Sequence, residues 1–136
     1  MIDIAACRAG LAANLLNVLG LQESPYLLSN PTPPCAEIEV GPIDYDQTMQ
    51  RGEDDLHFTV RVYVSSTTDV GSQKLLDTFL AATGAQSIKT ALESDKTLGG
   101  AVDTLHVSRC SGYRAFERGG QPAMLGAEWE VLVIAG

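Results

Sequence analysis

The sequence predicts an α+β fold: an antiparallel or mixed β-sheet with helices packed on one face, plus an exposed loop or hairpin. Three observations predict it. The opening segment and the middle of the chain carry apolar residues at helical spacing, whereas His57–Val64 and Ala127–Val131 alternate strictly between apolar and polar. The elements also come in blocks, a helix, two strands, two helices and then two or three strands, which is not the one-for-one alternation of a parallel α/β fold.

Length and composition bound the class. At 136 residues, 45% apolar and 19% charged, a single domain over residues 1–136 is expected, large enough to bury its own core without metal or disulfides. No apolar run approaches the roughly 20 residues that span a bilayer. The start, Met1-Ile2-Asp3-Ile4, lacks the basic segment of a secretory signal, so no membrane partner or export is expected. Cys7, Cys35 and Cys110 are odd in number and widely spaced, which points to reduced thiols rather than a disulfide framework or a zinc site. A net charge of −8 makes a surface that repels a nucleic-acid backbone.

Asp3 is placed to cap a helix in which Ile4, Leu11, Leu15 and Val18 share a face, with Arg8, Asn14 and Asn17 on other faces and Gly20 as the terminator. From Leu21 to Cys35, Pro25, Pro31, Pro33 and Pro34 favour a long, exposed arm without regular structure. Ala36–Val40 alternates as a short strand with Ile38 and Val40 inward and Glu37 and Glu39 outward, until Gly41-Pro42 interrupts it. The stretch from Asp44 to Asp55 is acidic and reads as a strand end and an exposed loop turning at Arg51-Gly52.

In the next strand Phe58, Val60, Val62 and Val64 face inward, and His57, Thr59, Arg61 and Tyr63 face outward. Leu75, Leu76, Phe79 and Leu80 form a helical stripe closed by Gly84, and Ser87 caps a short helix bearing Ile88, Ala91 and Leu92. Gly99-Gly100 marks a sharp reversal, after which a strand runs from Ala101 to about Cys110. Ser111-Gly112 reads as a polar link before Tyr113–Arg118, and Gly119-Gly120-Gln121-Pro122 as a turn. The last strand, Ala127–Ile134, becomes apolar on both faces, the pattern of a strand inside a sheet.

Catalytic chemistry finds little support in these residues, and no enzyme activity, cofactor or metal is expected. His57 and His106 lie on outward rows. Four residues separate His106 from Cys110, which on a regular strand means the same face but about 13 Å apart, beyond a Cys–His pair. Gly99-Gly100 lacks the following Lys-Ser/Thr of a phosphate loop, and Glu53-Asp54-Asp55 lacks the spaced oxygen ligands of a calcium loop.

Taken in order, the opening helix through Leu19, the strands Ala36–Val40 and His57–Val64, the helix and loop Ala91–Gly100, and the closing Gly126–Val133 resemble the tail terminator, or tail-completion, family of long-tailed non-contractile bacteriophages. The likeness covers nearly the whole chain, with the Pro-rich arm at 24–34 as a departure. The resemblance implies a virion protein, made in the host cytoplasm, that forms a ring, hexameric in expectation, on the finished end of the tail tube. It would stop tube polymerisation, join the tail to the head-completion protein, and let genome DNA pass its lumen without specific binding. The polar residues offered for such assembly are Asp46, Arg51, Glu53, Asp54, Asp55, Arg61, Tyr63, Arg114 and Arg118. A tail-tube or other head–tail connector subunit is the alternative reading, and a small cytosolic enzyme or ligand-binding domain the second.

Overall fold

The computed structural model describes residues 4–15, 18, 22–24, 34–45, 54–66, 70–84, 86–116 and 124–135, with the backbone alone at 22–24, 65 and 66. It is α+β. Helix α1 spans Ile4–Leu15, followed by strands β1 (Gln22–Ser24), β2 (Cys35–Asp44) and β3 (Asp54–Ser66), helices α2 (Val70–Leu80) and α3 (Ile88–Leu92), and strands β4 (Thr104–Phe116) and β5 (Met124–Ala135). The sheet runs β1-β2-β3-β5-β4, with β1 parallel to β2 and every other pairing antiparallel.

Register sorts the side chains into two faces, because residues directly opposite each other on antiparallel strands point the same way. Val60 lies between Ile38 and Trp129, Val62 between Ala36 and Ala127, and Phe58 between Val40 and Val131. This apolar face carries the helices. Cys7, Leu11 and Leu15 of α1, Leu76 and Phe79 of α2, and Ile88, Ala91 and Leu92 of α3 are buried against it in one core. As the two-sided apolar pattern requires, β5 sits between β3 and β4. The Ser87 cap forms as expected, its hydroxyl oxygen accepting from the Thr90 amide at 3.2 Å.

Several local expectations are corrected. The arm from 21 to 35 is not wholly irregular, since Gln22–Ser24 pairs with Cys35–Glu37 just ahead of the first proline. Gly41-Pro42 does not end β2 but forms a bulge between Val40 and Ile43, after which pairing resumes. Asn14, placed on an outer face by periodicity, is buried, and its amide donates to the Leu92 carbonyl at 2.9 Å and the Asp95 carbonyl at 3.1 Å. An apolar helix face thus holds one amide because the loop after α3 presents carbonyls that need donors. The expected cap at Asp3 and terminator at Gly20 lie outside the described residues.

The largest correction concerns β4. The chain from Thr104 to Phe116 is one strand, and the supposed link at Ser111-Gly112 is a bulge in which Gly112 takes φ +68°. A first bulge lies between Val107 and Arg109. Each bulge inserts a residue and so reverses the in–out phase of the residues after it. His106 pairs with Leu132 on the polar face, whereas Cys110 pairs with Trp129 on the apolar face. The two side chains therefore point to opposite sides of the sheet, not to the same side as unbroken alternation predicts. Gly99 (φ +72°) and Gly100 (φ +92°) supply the reversal that aims the chain into β4, which starts at Thr104 rather than Ala101.

Candidate functional site

The sheet face opposite the helices carries most of the described polar side chains that meet one another, and Arg61 of β3 stands at its centre. Cross-strand partners put Glu37 of β2 on one side of it and Glu128 of β5 on the other. The Arg61 Nη1 donates to Glu37 Oε1 at 3.2 Å, and Nη2 donates to Glu39 Oε2 at 3.2 Å and to Glu128 Oε2 at 3.0 Å. Burial alone would lower the guanidinium pKa, but the bond and charge of Glu128 outweigh it and raise it above its ordinary value. Arg61 is a fixed cation. Its Nε, also enclosed, has no hydrogen-bond partner among the described residues.

Around this centre the face becomes more apolar toward one end. Tyr63 is 2% exposed, and its hydroxyl donates to Glu37 Oε1 at 2.8 Å. Its ring meets the Phe116 ring edge-on, centroids 5.6 Å apart at 84°. Phe116 also lies under two cations, with the Arg114 guanidinium 4.4 Å and that of Arg61 5.5 Å from its ring centre. Cys35 and Met124 complete this second, smaller cluster. Phe116 reaches Tyr63 across Gly126, where a side-chain carbon would stand 2.6 Å from the Val62 carbonyl oxygen and 3.0 Å from the Phe116 ring.

Toward the opposite end the face is wetter. His57 Nε2 and Asp44 Oδ2 lie 3.1 Å apart, both about half exposed. Arg109 Nε donates to Glu130 Oε2 at 2.8 Å. A cleft of about 340 Å³ opens here, bordered by Pro42, Asp44, His57, Thr59, Ser108 and Glu130. Convergent polar groups around a concavity were not legible in the sequence, because the bulge in β2 and that at Ser108 bring them together.

Of the residues expected to serve assembly, the structure brings Arg61, Tyr63 and Arg114 together, linked through Glu128 and Phe116; Arg114 Nη2 lies 3.5 Å from Glu128 Oε1. Tyr63 is corrected from an exposed to a buried position. Asp54 and Asp55 begin β3 at the far end of the sheet, half-buried. Asp46, Arg51, Glu53 and Arg118 lie outside the described residues. Glu37, Glu39, Glu128 and Phe116 escaped the sequence reading. Their signal was a single arginine on an outward row flanked by outward glutamates, which becomes a cluster once the strands are set side by side.

The remaining candidates hold little nucleophilic chemistry. Partial burial and the charge of Glu128 push the Cys110 thiol up to about 11, so it is protonated at neutral pH. His106 Nδ1 lies 3.6 Å from Glu93 Oε2 on an exposed edge. Among the described residues no group of three or more His, Cys, Asp or Glu is arranged to hold a metal, and no helix is long and apolar enough to cross a membrane. No protein-family model matches the chain, and no curated protein matches it.

Proposed function

We propose that this chain is a structural virion protein of the tail terminator kind, which caps the end of a phage tail tube as a ring, stops polymerisation and joins the tail to the head-completion protein. The observation that carries the reading is the division of the sheet into a helix-covered face and a face of cross-strand ion pairs centred on Arg61. Four strands lock these side chains in place, so the surface is polar yet preorganised, as a subunit that must dock without refolding requires. Glu39, Asp44, Glu128 and Glu130 outnumber the arginines Arg61, Arg109 and Arg114 among them, and such an excess suits a passage for DNA that must not bind it.

The test is assembly. Purified protein added to tail tubes should convert to closed rings at tube ends, measured by mass in solution and by negative-stain microscopy, and tubes should stop growing. Continued self-addition into tubes would instead indicate a tube or connector subunit.

The cleft beside His57 and Asp44 favours a second reading, a small ligand-binding or catalytic domain. His57→Ala and Asp44→Asn separate the two. A cap keeps completing tails with either change, whereas loss of function with fold and rings intact indicates chemistry at the cleft.

A further inference from the structure

Two bulges bound the cleft beside His57. Pairing skips at Gly41-Pro42 in β2 and at Ser108 in β4. An inserted residue kinks its strand and re-aims the side chains next to it, which is how a sheet face acquires a concavity. Gly41 is needed where β2 bends, because a side-chain carbon there would stand 3.0 Å from the His57 carbonyl oxygen. At about 340 Å³ the cleft has the size of a small-molecule site.

The lining fixes the sign of what fits. Asp44 and Glu130 border the cleft, His57 is the basic group among its lining residues, and Thr59 and Ser108 add hydroxyls. Arg109 holds Glu130 from outside the lining. Two carboxylates in a chain of net charge −8 repel an anion and attract a cation. Their placement does not suit a point cation. Register sets Asp44 opposite Asp55 and Glu130 opposite Thr59, on the two flanks of β3. Their Cα atoms therefore stand roughly 16 Å apart, counting the rise from Asp55 to Thr59 along the strand and two strand spacings across it. Carboxylates that far apart do not close on one ion, whereas a chain with an ammonium at each end reaches both. Gly41 and Pro42 give its methylenes an apolar wall.

We propose that the cleft between the two bulges binds a short aliphatic diamine as its dication, with Asp44 receiving one ammonium and Glu130 the other. Each contact is a charge-assisted hydrogen bond, and the Thr59 and Ser108 hydroxyls offer further acceptors. His57 and Arg109 are the groups that the ligand displaces. In the His57–Asp44 and Arg109–Glu130 pairs every side chain is at least 44% exposed, so each pair is weak and yields to a ligand that carries both charges on one chain. The inference rests on the ligand-binding reading of this cleft and is independent of the ring on the tail.

Equilibrium dialysis of the full chain against labelled putrescine tests it. Putrescine should bind at least about tenfold tighter than butylamine, because the second charge-assisted contact is available only to the diamine. Asp44→Asn and Glu130→Gln should each weaken binding by about the same factor, and His57→Ala, which frees Asp44, should tighten it. Asp77→Asn, on α2, controls for diffuse attraction to an acidic chain and should leave the affinity unchanged. Circular dichroism and a cooperative melt establish that each variant is folded. Butylamine bound as tightly as putrescine would overturn the two-ended site, and an equal loss in Asp77→Asn would replace it with non-specific condensation. Weaker binding in His57→Ala would mean that the imidazole holds the ligand, which overturns the displacement. No retention of putrescine overturns the proposal, and the ring reading is unaffected because closure of rings on tube ends is measured separately on the same preparation.

Discussion

The Tyr63 hydroxyl donates a hydrogen bond to Glu37 at 2.8 Å, and both residues are buried on the sheet face opposite the helices. A carboxylate with no exposed surface survives there because Tyr63 and Arg61 converge on the same Oε1. Anchoring of the polar face therefore depends on two neighbouring rungs of β3.

Removing the cation should expose that dependence. In Arg61→Ala, Glu37 keeps the tyrosine bond but loses its counter-charge, and Glu128 loses its closest one. Breaking a buried pair from one side costs about 3–5 kcal/mol. A urea titration should show this loss, and Arg61→Lys should recover only part of it, since an ammonium cannot hold three carboxylates with one planar fork. A loss within 0.5 kcal/mol, as for a typical surface substitution, would refute the central role of Arg61.

Alkaline pH should act through Tyr63. Burial first, then the bond to Glu37, raises its pKa above the ordinary 10.0. The unfolded chain gives up this proton first, so the stabilisation is fully present below the unfolded value and is lost as pH rises through the folded one. Above pH 10 the wild type should lose stability more steeply than Tyr63→Phe, read from urea midpoints. Parallel slopes would count against the buried phenol.

Acid should act through Glu93. Its partial burial opposes ionisation, but Lys89 Nζ at 2.6 Å and the Val107 amide outweigh it and hold the carboxyl below its ordinary range. A depressed folded pKa stabilises above the unfolded value, and the gain disappears as pH falls through the folded one. The stability difference between wild type and Glu93→Gln should be constant near neutrality and shrink as pH falls below about 4.3. Urea midpoints across this range measure it, and a difference that grows toward acid would refute the assignment.

Gly126 should tolerate no side chain. Gly126→Ala sets a methyl against the Val62 carbonyl oxygen and the Phe116 ring, an overpacking that costs about 1–3 kcal/mol. Adding Phe116→Leu frees the ring but not the backbone contact, so thermal melts should show at most partial rescue. Full rescue would mean that the aromatic ring, not strand packing, requires glycine.

Much of this fold was already determined by local pattern. Alternation at Phe58, Val60 and Val62 fixed the core face of β3, helical spacing at Leu76 and Phe79 fixed the buried stripe of α2, and the two-sided apolar run ending in Ile134 fixed β5 as an interior strand. These are properties of neighbours in sequence, where the period of the backbone alone decides which side chains share a face. Tertiary structure decided the rest. Arg61 and Glu128 are 67 residues apart and Asn14 lies 78 from its Leu92 acceptor, so no local period relates them. The bulge at Ser108 reversed the phase of β4 and sent Cys110 to the face away from His106, because one inserted residue inverts everything after it, and the bulge at Gly112 reversed the phase again. Tyr63 has the sequence of an outward residue, yet it is buried because Phe116 and Met124, brought beside it by β4 and β5, cover the end of the polar face.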